Sequence, residues 1–170
     1  MLCSHNSILI SRKIHDVYQF IALDFFDNYP KWSPEVCELE KLTSGDMRVG
    51  LTGRQVRCDS GYRSEAHFRV THLDPLRELR FVSLSKPYFE ARYLFKPAAS
   101  GTRLTFDFQL ELPLFMLPIR SRIDDSVKRG GERIVCNLKK ILETSADAST
   151  RDVNDTVART GGASHGPASD

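Results

Sequence analysis

The stretch TRLTFDFQLELPLFMLPIRSRI, residues 102 to 123, contains the change of pattern that decides the fold. In its first half apolar and polar residues alternate, with Phe106 and Phe108 on the apolar side, which is typical of a β-strand with one buried face. From Ile119 to about residue 143 the apolar residues recur every three or four positions, which predicts a long amphipathic helix. A strand region is thus followed by a helix large enough to cover its apolar face.

Six segments upstream of this strand also have the character of strands, and short turns such as TSGD, DP, KP and PAASG separate several of them. NSILISR comes first, and the others are VCELEKL, RVGLTGRQVR, YRSEAHFRVTHL, RELRFVSL and YFEARYLFK. Two-sided alternation with short turns is typical of an antiparallel sheet that has one wet face.

Between the first two strands the pattern is different. KIHDVYQFIALDFF has one apolar face at helical spacing and predicts a helix. The following stretch DNYPKWSPEV, residues 27 to 36, predicts a loop, because Pro30 and Pro34 interrupt regular structure and Trp32 would anchor the loop by packing inward. The predicted fold is therefore α+β: a seven-stranded curved antiparallel sheet around a long C-terminal helix, with a short helical insertion after strand 1.

Composition sets the domain organisation. The chain has 170 residues, of which 41% are hydrophobic and 27% charged, so it can build one sizeable core. After residue 144 there is no Leu, Ile, Met, Phe, Tyr or Trp. We therefore predict one domain over residues 1–144 and a disordered polar tail over residues 145–170. The formal net charge of +2 is too small to indicate a nucleic-acid partner, and none is expected.

The four cysteines are widely spaced and form no CxxC pair, so we predict reduced thiols rather than a zinc site or a disulfide framework. The N-terminus lacks the pattern of a signal peptide. The longest apolar run, LPLFMLPI, is far shorter than the ~20 residues of a membrane-spanning helix. Together these features predict a cytoplasmic location and no transmembrane segment. No phosphate-binding or dinucleotide glycine motif is present, and neither a cofactor nor a metal site is expected.

The element order and several segments together resemble the polyketide cyclase/dehydrase branch of the START-like (SRPBCC) superfamily. The resemblance is carried by DVYQFIALDFFDNYPKWSPEV, GDMRVGLTGR, RVTHLDPLRELRF, YLFKPAASGTRLTF and the closing LKKILE, and it covers about residues 6 to 143. Trp32 and Pro34 match a Trp-Pro-like turn of that family. The first helix departs from the family, which often begins it with a Pro-Glu pair where this chain has KIHDV.

The resemblance implies a helix-grip fold with a deep, largely apolar cavity between the sheet and the C-terminal helix. Members of the family bind sterols, lipids, polyketides, hormones or other hydrophobic molecules, and a minority catalyse cyclisation or dehydration. The first hypothesis is therefore a protein that binds a hydrophobic small molecule or lipid. The second is an enzyme of the cyclase/dehydrase type. The third is an interaction module that uses the basic face of the long helix to bind a macromolecule.

The expected ligand-binding residues lie on the inward sheet face and on the long helix. They are Trp32, Tyr62, Phe68, Phe81, Phe89, Tyr93, Phe95, Phe106, Phe108, Ile123, Val127 and Ile134. Each could instead be an ordinary core residue. Tyr93 and Tyr62 are the candidate proton donors if the protein is an enzyme, and a tyrosine whose hydroxyl reaches solvent is the alternative.

Three further features have two interpretations each. Gly130 and Gly131 either leave room for a ligand under the helix or mark a tolerated bend. PLFMLP is either a lip at the cavity mouth or, slightly favoured, a packed plug. The basic residues of the helix are either a solvated face, which is favoured, or a binding surface. No sequence pattern indicates an oligomeric state.

Overall fold

The computed structural model describes residues 1–59, 61–112 and 114–160, except for the side chains of residues 62, 115 and 145–160. Seven strands form one antiparallel sheet in the order β1-β7-β6-β5-β4-β3-β2. They are β1 Leu2–Ile10, β2 Val36–Lys41, β3 Thr52–Asp59, β4 Tyr62–Asp74, β5 Glu78–Ser83, β6 Phe89–Ala98 and β7 Gly101–Leu110. The helices are α1 Ile14–Tyr18, α2 Phe25–Trp32 and α3 Arg120–Thr160. The predicted α+β helix-grip fold is confirmed.

The alternation in the strands places one face of the sheet against α3. Along β6 the side chains of Ala91, Tyr93 and Phe95 are buried, and the residues between them are more exposed. From α3, Leu138 and Leu142 are buried in the same core. The burial of these side chains on both elements is what holds the helix in the concave face of the sheet.

Two adjacent glycines allow α3 to pass closely over one edge of the sheet. A Cβ atom on Gly131 would collide with the side chains of Ser4 and Asn6 on β1, whereas a Cβ atom on Gly130 would meet nothing within 4 Å. Gly131 is therefore required for the close approach of the helix to β1. Gly130 leaves open space beneath the helix, as one interpretation of the sequence anticipated.

The insertion after β1 differs from the prediction in one respect. The stretch predicted as a loop is mostly helical, because α2 runs from Phe25 to Trp32 and includes Pro30. Phe25, Tyr29 and Trp32 lie on one face of α2 and are buried. Burial of this aromatic face outweighs the hydrogen bond that Pro30 cannot donate. Between α1 and α2, residues Gln19–Leu23 form a π-helical turn.

The C-terminal helix extends past the predicted domain boundary. Residues 145–160 continue α3 to Thr160, although the sequence predicted a disordered tail from residue 145. Alanine, arginine and serine in this segment are compatible with a helix even without an apolar face. Residues 161–170 of the predicted tail lie outside the described residues, and the division into a domain of 1–144 and a tail of 145–170 stays a prediction.

The prediction that all four thiols are reduced is wrong for one pair. Cys37 of β2 and Cys58 of β3 form a disulfide, with Cα atoms 6.1 Å apart, while Cys3 and Cys136 are free and exposed. A register shift in β2 between Val36 and Glu38 brings the two cysteines together. Sequence spacing could not show this, since the pairing depends on the bulge.

Within the described residues, no helix is both long enough and apolar enough to cross a bilayer. The cytoplasmic location stays a prediction.

Candidate functional site

A cavity of about 300 Å³ lies between the inner face of the sheet and α3. This volume is at the lower end of the range for small-molecule sites. Eight of the predicted residues line it: Phe68, Phe81, Phe89, Tyr93, Phe106, Phe108, Val127 and Ile134. The inward sheet face therefore does not close completely against the helix.

Four other predicted residues are not among those that line this cavity. Phe95 packs against Tyr18 with ring centroids 5.2 Å apart. Trp32 is fully buried behind Phe25 and Tyr29. Ile123 is half-buried on α3. Tyr62 begins β4, but its side chain lies outside the described ones, so its role stays a prediction.

Aromatic rings form the apolar part of the cavity wall. The rings of Phe89 and Phe108 are stacked with centroids 5.8 Å apart, and those of Tyr93 and Phe106 are tilted at 4.8 Å. Val127 and Ile134 of α3 complete the apolar wall on the helix side. Such a wall gains free energy by covering an apolar ligand surface without requiring a specific orientation.

The opposite part of the cavity is polar and comes mainly from β3. Gln55, Arg57 and Asp59 alternate along this strand and face inward. Gln55 is only 7% exposed, and its side-chain amide makes no hydrogen bond within the part of the chain that the structure describes. Because Gln55 lines the cavity, water or a ligand in the cavity can form the hydrogen bonds that the protein does not supply.

Arg57 connects the cavity to the insertion after β1. Its Nη1 atom donates to the Tyr29 hydroxyl at 3.3 Å and to Ser33 Oγ at 3.4 Å, and its Nη2 atom donates to Glu35 Oε1 at 3.1 Å. The two Nη1 bonds are long for hydrogen bonds. They can therefore be exchanged for a shorter bond to a ligand oxygen, while the ion pair with Glu35 holds the guanidinium in place.

Glu35 also connects the sheet side of the cavity to α3. Its carboxylate, only 11% exposed, accepts a second hydrogen bond from Arg133 Nη2 at 3.2 Å. Arg133 itself lies on the cavity wall. Two guanidinium groups thus share one carboxylate beside the cavity, and Glu35 keeps a partner even if Arg57 is removed.

Tyr93 places a neutral hydroxyl in the cavity wall. Burial raises the pKa of Tyr93 well above the usual range for a tyrosine, and the nearby Tyr29 raises it further, while Trp32 and Arg57 lower it. The Trp32 indole N–H faces this hydroxyl without a hydrogen bond of normal geometry to any described residue. Tyr93 therefore stays protonated at all ordinary pH values and can donate a hydrogen bond.

The sequence-based predictions did not include the polar end of the cavity, where Tyr29, Gln55, Arg57 and Arg133 line the wall. They also did not include Phe25, which contributes to the apolar part. The sequence does contain a pattern that could have indicated the β3 residues. With strict alternation, Gln55 and Arg57 lie on the same face of the strand as Gly53. Polar residues on a face that must be inward indicate a site. The contribution of Tyr29 depended on the helix α2, which was not predicted.

The segment after β7 is exposed and is not a packed plug, and its described residues are not among those that line the cavity. That it forms a lip at the cavity mouth stays a prediction. Residues Leu114–Ile119 form a 3₁₀ helix, and Leu114 and Leu117 are 82% and 48% exposed. Just before this segment, the backbone N–H of Glu111 donates to Tyr88 O at 2.8 Å, which joins the end of β7 to the end of the β5–β6 loop.

Several solved structures have the same fold at low sequence identity. The protein TTHA0849 from Thermus thermophilus has a TM-score of 0.68 and 18% identity, over 84% of this chain and 98% of that chain. The di-domain ARO/CYC StfQ from the steffimycin biosynthetic pathway has a TM-score of 0.70 and 14% identity, over 86% of this chain and 52% of that chain. Ara h 8.0201 has a TM-score of 0.58 and 10% identity, over 84% and 97%.

The sequence itself assigns the family. No curated protein matches the chain. A family model described as polyketide cyclase/dehydrase and lipid transport matches residues 1–143. Since this match spans most of the chain and agrees with the fold and its cavity, the protein belongs to the polyketide cyclase/dehydrase and lipid transport family.

Proposed function

We propose that the protein binds a small hydrophobic molecule or lipid in the cavity between the sheet and α3, and that a polar oxygen of this ligand accepts hydrogen bonds from Gln55 and Arg57. The observation that carries the proposal is the side-chain amide of Gln55, which lines the cavity beside the aromatic wall and has no hydrogen-bond partner among the described residues. The aromatic wall supplies apolar contact, and the polar end orients the ligand.

The hydrogen-bond donors beside the cavity suit a ligand with a carboxylate, an enolate or a carbonyl oxygen, although Asp59 also lines the cavity. Arg57 and Arg133 share the carboxylate of Glu35. Arg57, Tyr29 and Tyr93 all offer donors at this end, because the Tyr93 hydroxyl stays protonated. A carboxylate or enolate oxygen would form charge-assisted hydrogen bonds with the guanidinium, which are about twice as strong as neutral ones.

Native mass spectrometry of the purified protein, followed by denaturing extraction, tests this proposal. We expect a bound small organic molecule with an apolar body. Gly130→Leu places an isobutyl group in the open space beneath the helix and should abolish this additional mass, while Gly130→Ala serves as the matched control and should retain it. A ligand retained by the leucine variant would show that the cavity is not its site.

A second candidate function is catalysis of cyclisation or dehydration of a bound chain. It is favoured by the neutral Tyr93 hydroxyl and the Arg57 guanidinium at the same end of the cavity. Tyr93 would donate a proton, Arg57 would stabilise a developing enolate oxygen, and the wall would hold the chain folded.

Tyr93→Phe separates the two candidates. Incubation with a linear poly-β-ketone thioester should release water with the unaltered protein and not with the variant, while both bind an apolar dye equally well. Equal turnover by the variant would exclude Tyr93 as the proton donor, and no turnover by either protein would leave binding as the function.

A further inference from the structure

The rim of the cavity carries an unusual concentration of exposed apolar side chains. On the 3₁₀ segment Leu114, Leu117 and Ile119 are 82%, 48% and 48% exposed, and on the neighbouring β5–β6 loop Tyr88 is 44% exposed. The backbone hydrogen bond between Glu111 and Tyr88 joins the chain just before the 3₁₀ segment to the end of this loop. Large apolar residues in such a group are rare on the surface of a monomer and usually mark a contact surface.

Positively charged residues lie next to these apolar residues in the sequence. Arg120 and Arg122 begin α3, and Lys86 lies in the β5–β6 loop. All three are exposed, and none makes an ion pair within the described residues. Between Glu111 and Asp124 the sequence contains no acidic residue, and Asp124 is already paired with Lys128 at 2.7 Å. The acidic residues that flank this segment in sequence are Glu111 and, beyond the paired Asp124, Asp125. Three cations therefore stand against two carboxylates, which leaves an excess of positive charge beside the apolar residues.

The exposed apolar residues and the two arginines together form a surface that we call the rim patch: Tyr88, Leu114, Leu117, Ile119, Arg120 and Arg122. We propose that this rim patch docks the protein on a lipid surface that carries anionic head groups. Apolar side chains at an exposed tip enter the boundary of the acyl chains, and flanking arginines bind the anionic head groups. A protein partner would have to cover the apolar side chains but would not need to be acidic. An anionic bilayer matches both the apolar side chains and the arginines of this surface.

The rim patch is continuous with the cavity mouth. Pro87 and Phe89 flank Tyr88 in sequence and line the cavity. Leu110, at the end of β7 shortly before Leu114, and Val127, one helical turn after Ile123, also line it. Docking would therefore turn the cavity opening toward the bilayer. The docking itself rests on the surface residues alone and goes beyond the proposed ligand binding.

Flotation of the full chain with vesicles tests the proposal. We expect binding to vesicles of phosphatidylcholine with phosphatidylserine at low salt, weaker binding at high salt, and little binding to phosphatidylcholine alone. Arg120→Gln with Arg122→Gln should weaken binding about fivefold for each arginine, or roughly 25-fold together. Leu114→Ser with Leu117→Ser should weaken it by roughly tenfold or more.

A matched control removes the same charge elsewhere. Arg69 and Arg103 are exposed on the outer side of β4 and β7, and Arg69→Gln with Arg103→Gln should change binding little. Equal loss in the control and the rim variant would overturn the proposal, since only net charge would then matter. Failure of the unaltered protein to float with anionic vesicles would also overturn it. The same holds if the unaltered protein is a dimer in solution and the variant with Leu114→Ser and Leu117→Ser is a monomer, because the apolar residues would then form a dimer interface.

The outcome is separable from that of the proposed cavity function. Both rim variants should bind an apolar dye in the cavity as the unaltered protein does, because none of the four substituted side chains lines the cavity wall. Loss of vesicle binding with retained dye binding supports docking. Retained vesicle binding in every rim variant contradicts docking, whatever the cavity binds.

Discussion

At the scale of single residues, the polar end of the cavity depends on which face of β3 a side chain occupies. Arg57 faces the cavity, whereas Arg54 lies on the outer face and pairs with Glu38 at 3.0 Å and Glu65 at 2.8 Å. Both are arginines of one strand, and only one can reach a ligand. Arg54 and Arg57 can therefore be compared as two arginines of the same strand that differ in the face of the sheet they occupy.

Arg57→Met should lower the affinity for anilinonaphthalene sulfonate by about tenfold or more, because a charge-assisted hydrogen bond to the sulfonate is lost. The neutral dye N-phenylnaphthylamine has the same ring system without the sulfonate, and its affinity should change little. Fluorescence titration measures both. Glu35 keeps its bond to Arg133 in this variant, so no carboxylate is left unpaired.

Arg54→Met is the matched control for that measurement. It should leave the affinity for both dyes unchanged, since its side chain lies outside the cavity. A similar loss of both dyes in Arg57→Met would indicate a collapsed cavity instead of a lost hydrogen bond. An unchanged affinity for the sulfonate would remove Arg57 from the proposed site.

At the scale of elements, the two glycines of α3 have opposite requirements. Gly131→Ala should destabilise the protein by about 1–3 kcal/mol, because its Cβ would push apart Ser4 and Asn6, which are hydrogen-bonded to each other at 2.6 Å. Gly130→Ala should stabilise it by up to about 1 kcal/mol, because its Cβ enters open space and alanine favours the helix.

Urea unfolding followed by circular dichroism measures both free energies. Since the two positions are adjacent in one helix, helix propensity changes equally in the two variants, and only the packing against β1 differs. Stabilisation by both substitutions would mean that α3 can move away from β1 without loss. Destabilisation by both would mean that the space beneath Gly130 is too small for a methyl group.

The elements also show what sequence patterns could predict. Alternation predicted the inner faces of β4, β6 and β7 correctly, because period-two burial follows from the strand itself. Pro30 and Pro34 indicated a loop where α2 is found. The spacing of Phe25, Tyr29 and Trp32 instead places their aromatic rings on one face of a helix. Tertiary burial decided that segment, and local propensity did not.

The cavity was only partly predictable. Its aromatic wall followed from the strands and the family resemblance. Its polar end was not predicted, since Tyr29, Arg57 and Arg133 come from three separate elements whose approach depends on the folded insertion. The pairing of Cys37 with Cys58 likewise depends on a bulge that no sequence pattern indicated.

At the scale of the whole molecule, this disulfide fixes β2 to the rest of the sheet. Cys37→Ser should lower the free energy of unfolding by about 3 kcal/mol, as expected for a closed loop with a sequence separation of 21. Reduction of the unaltered protein should lower it by the same amount. Chemical denaturation with and without dithiothreitol measures both.

Cys136→Ser is the control, because Cys136 is a free exposed thiol, and it should change stability little in either condition. If reductant destabilises the Cys37→Ser variant as much as the unaltered protein, the effect does not come from the disulfide. If the unaltered protein is equally stable with and without reductant, the cross-link contributes nothing to folding.

The two outer strands of the sheet determine how copies of the protein behave when crowded together. An outer strand with free backbone groups can recruit the same strand of another copy and start aggregation. On β1, Lys139 Nζ donates to Leu9 O at 2.6 Å, and directly after β1 the N–H of Ser11 donates to Glu143 Oε1 at 2.7 Å. On β2, the bulge and charged side chains interrupt a regular template. The long helix therefore also occupies one end of the outer edge at β1, which shortens the length of β1 that another copy could pair with.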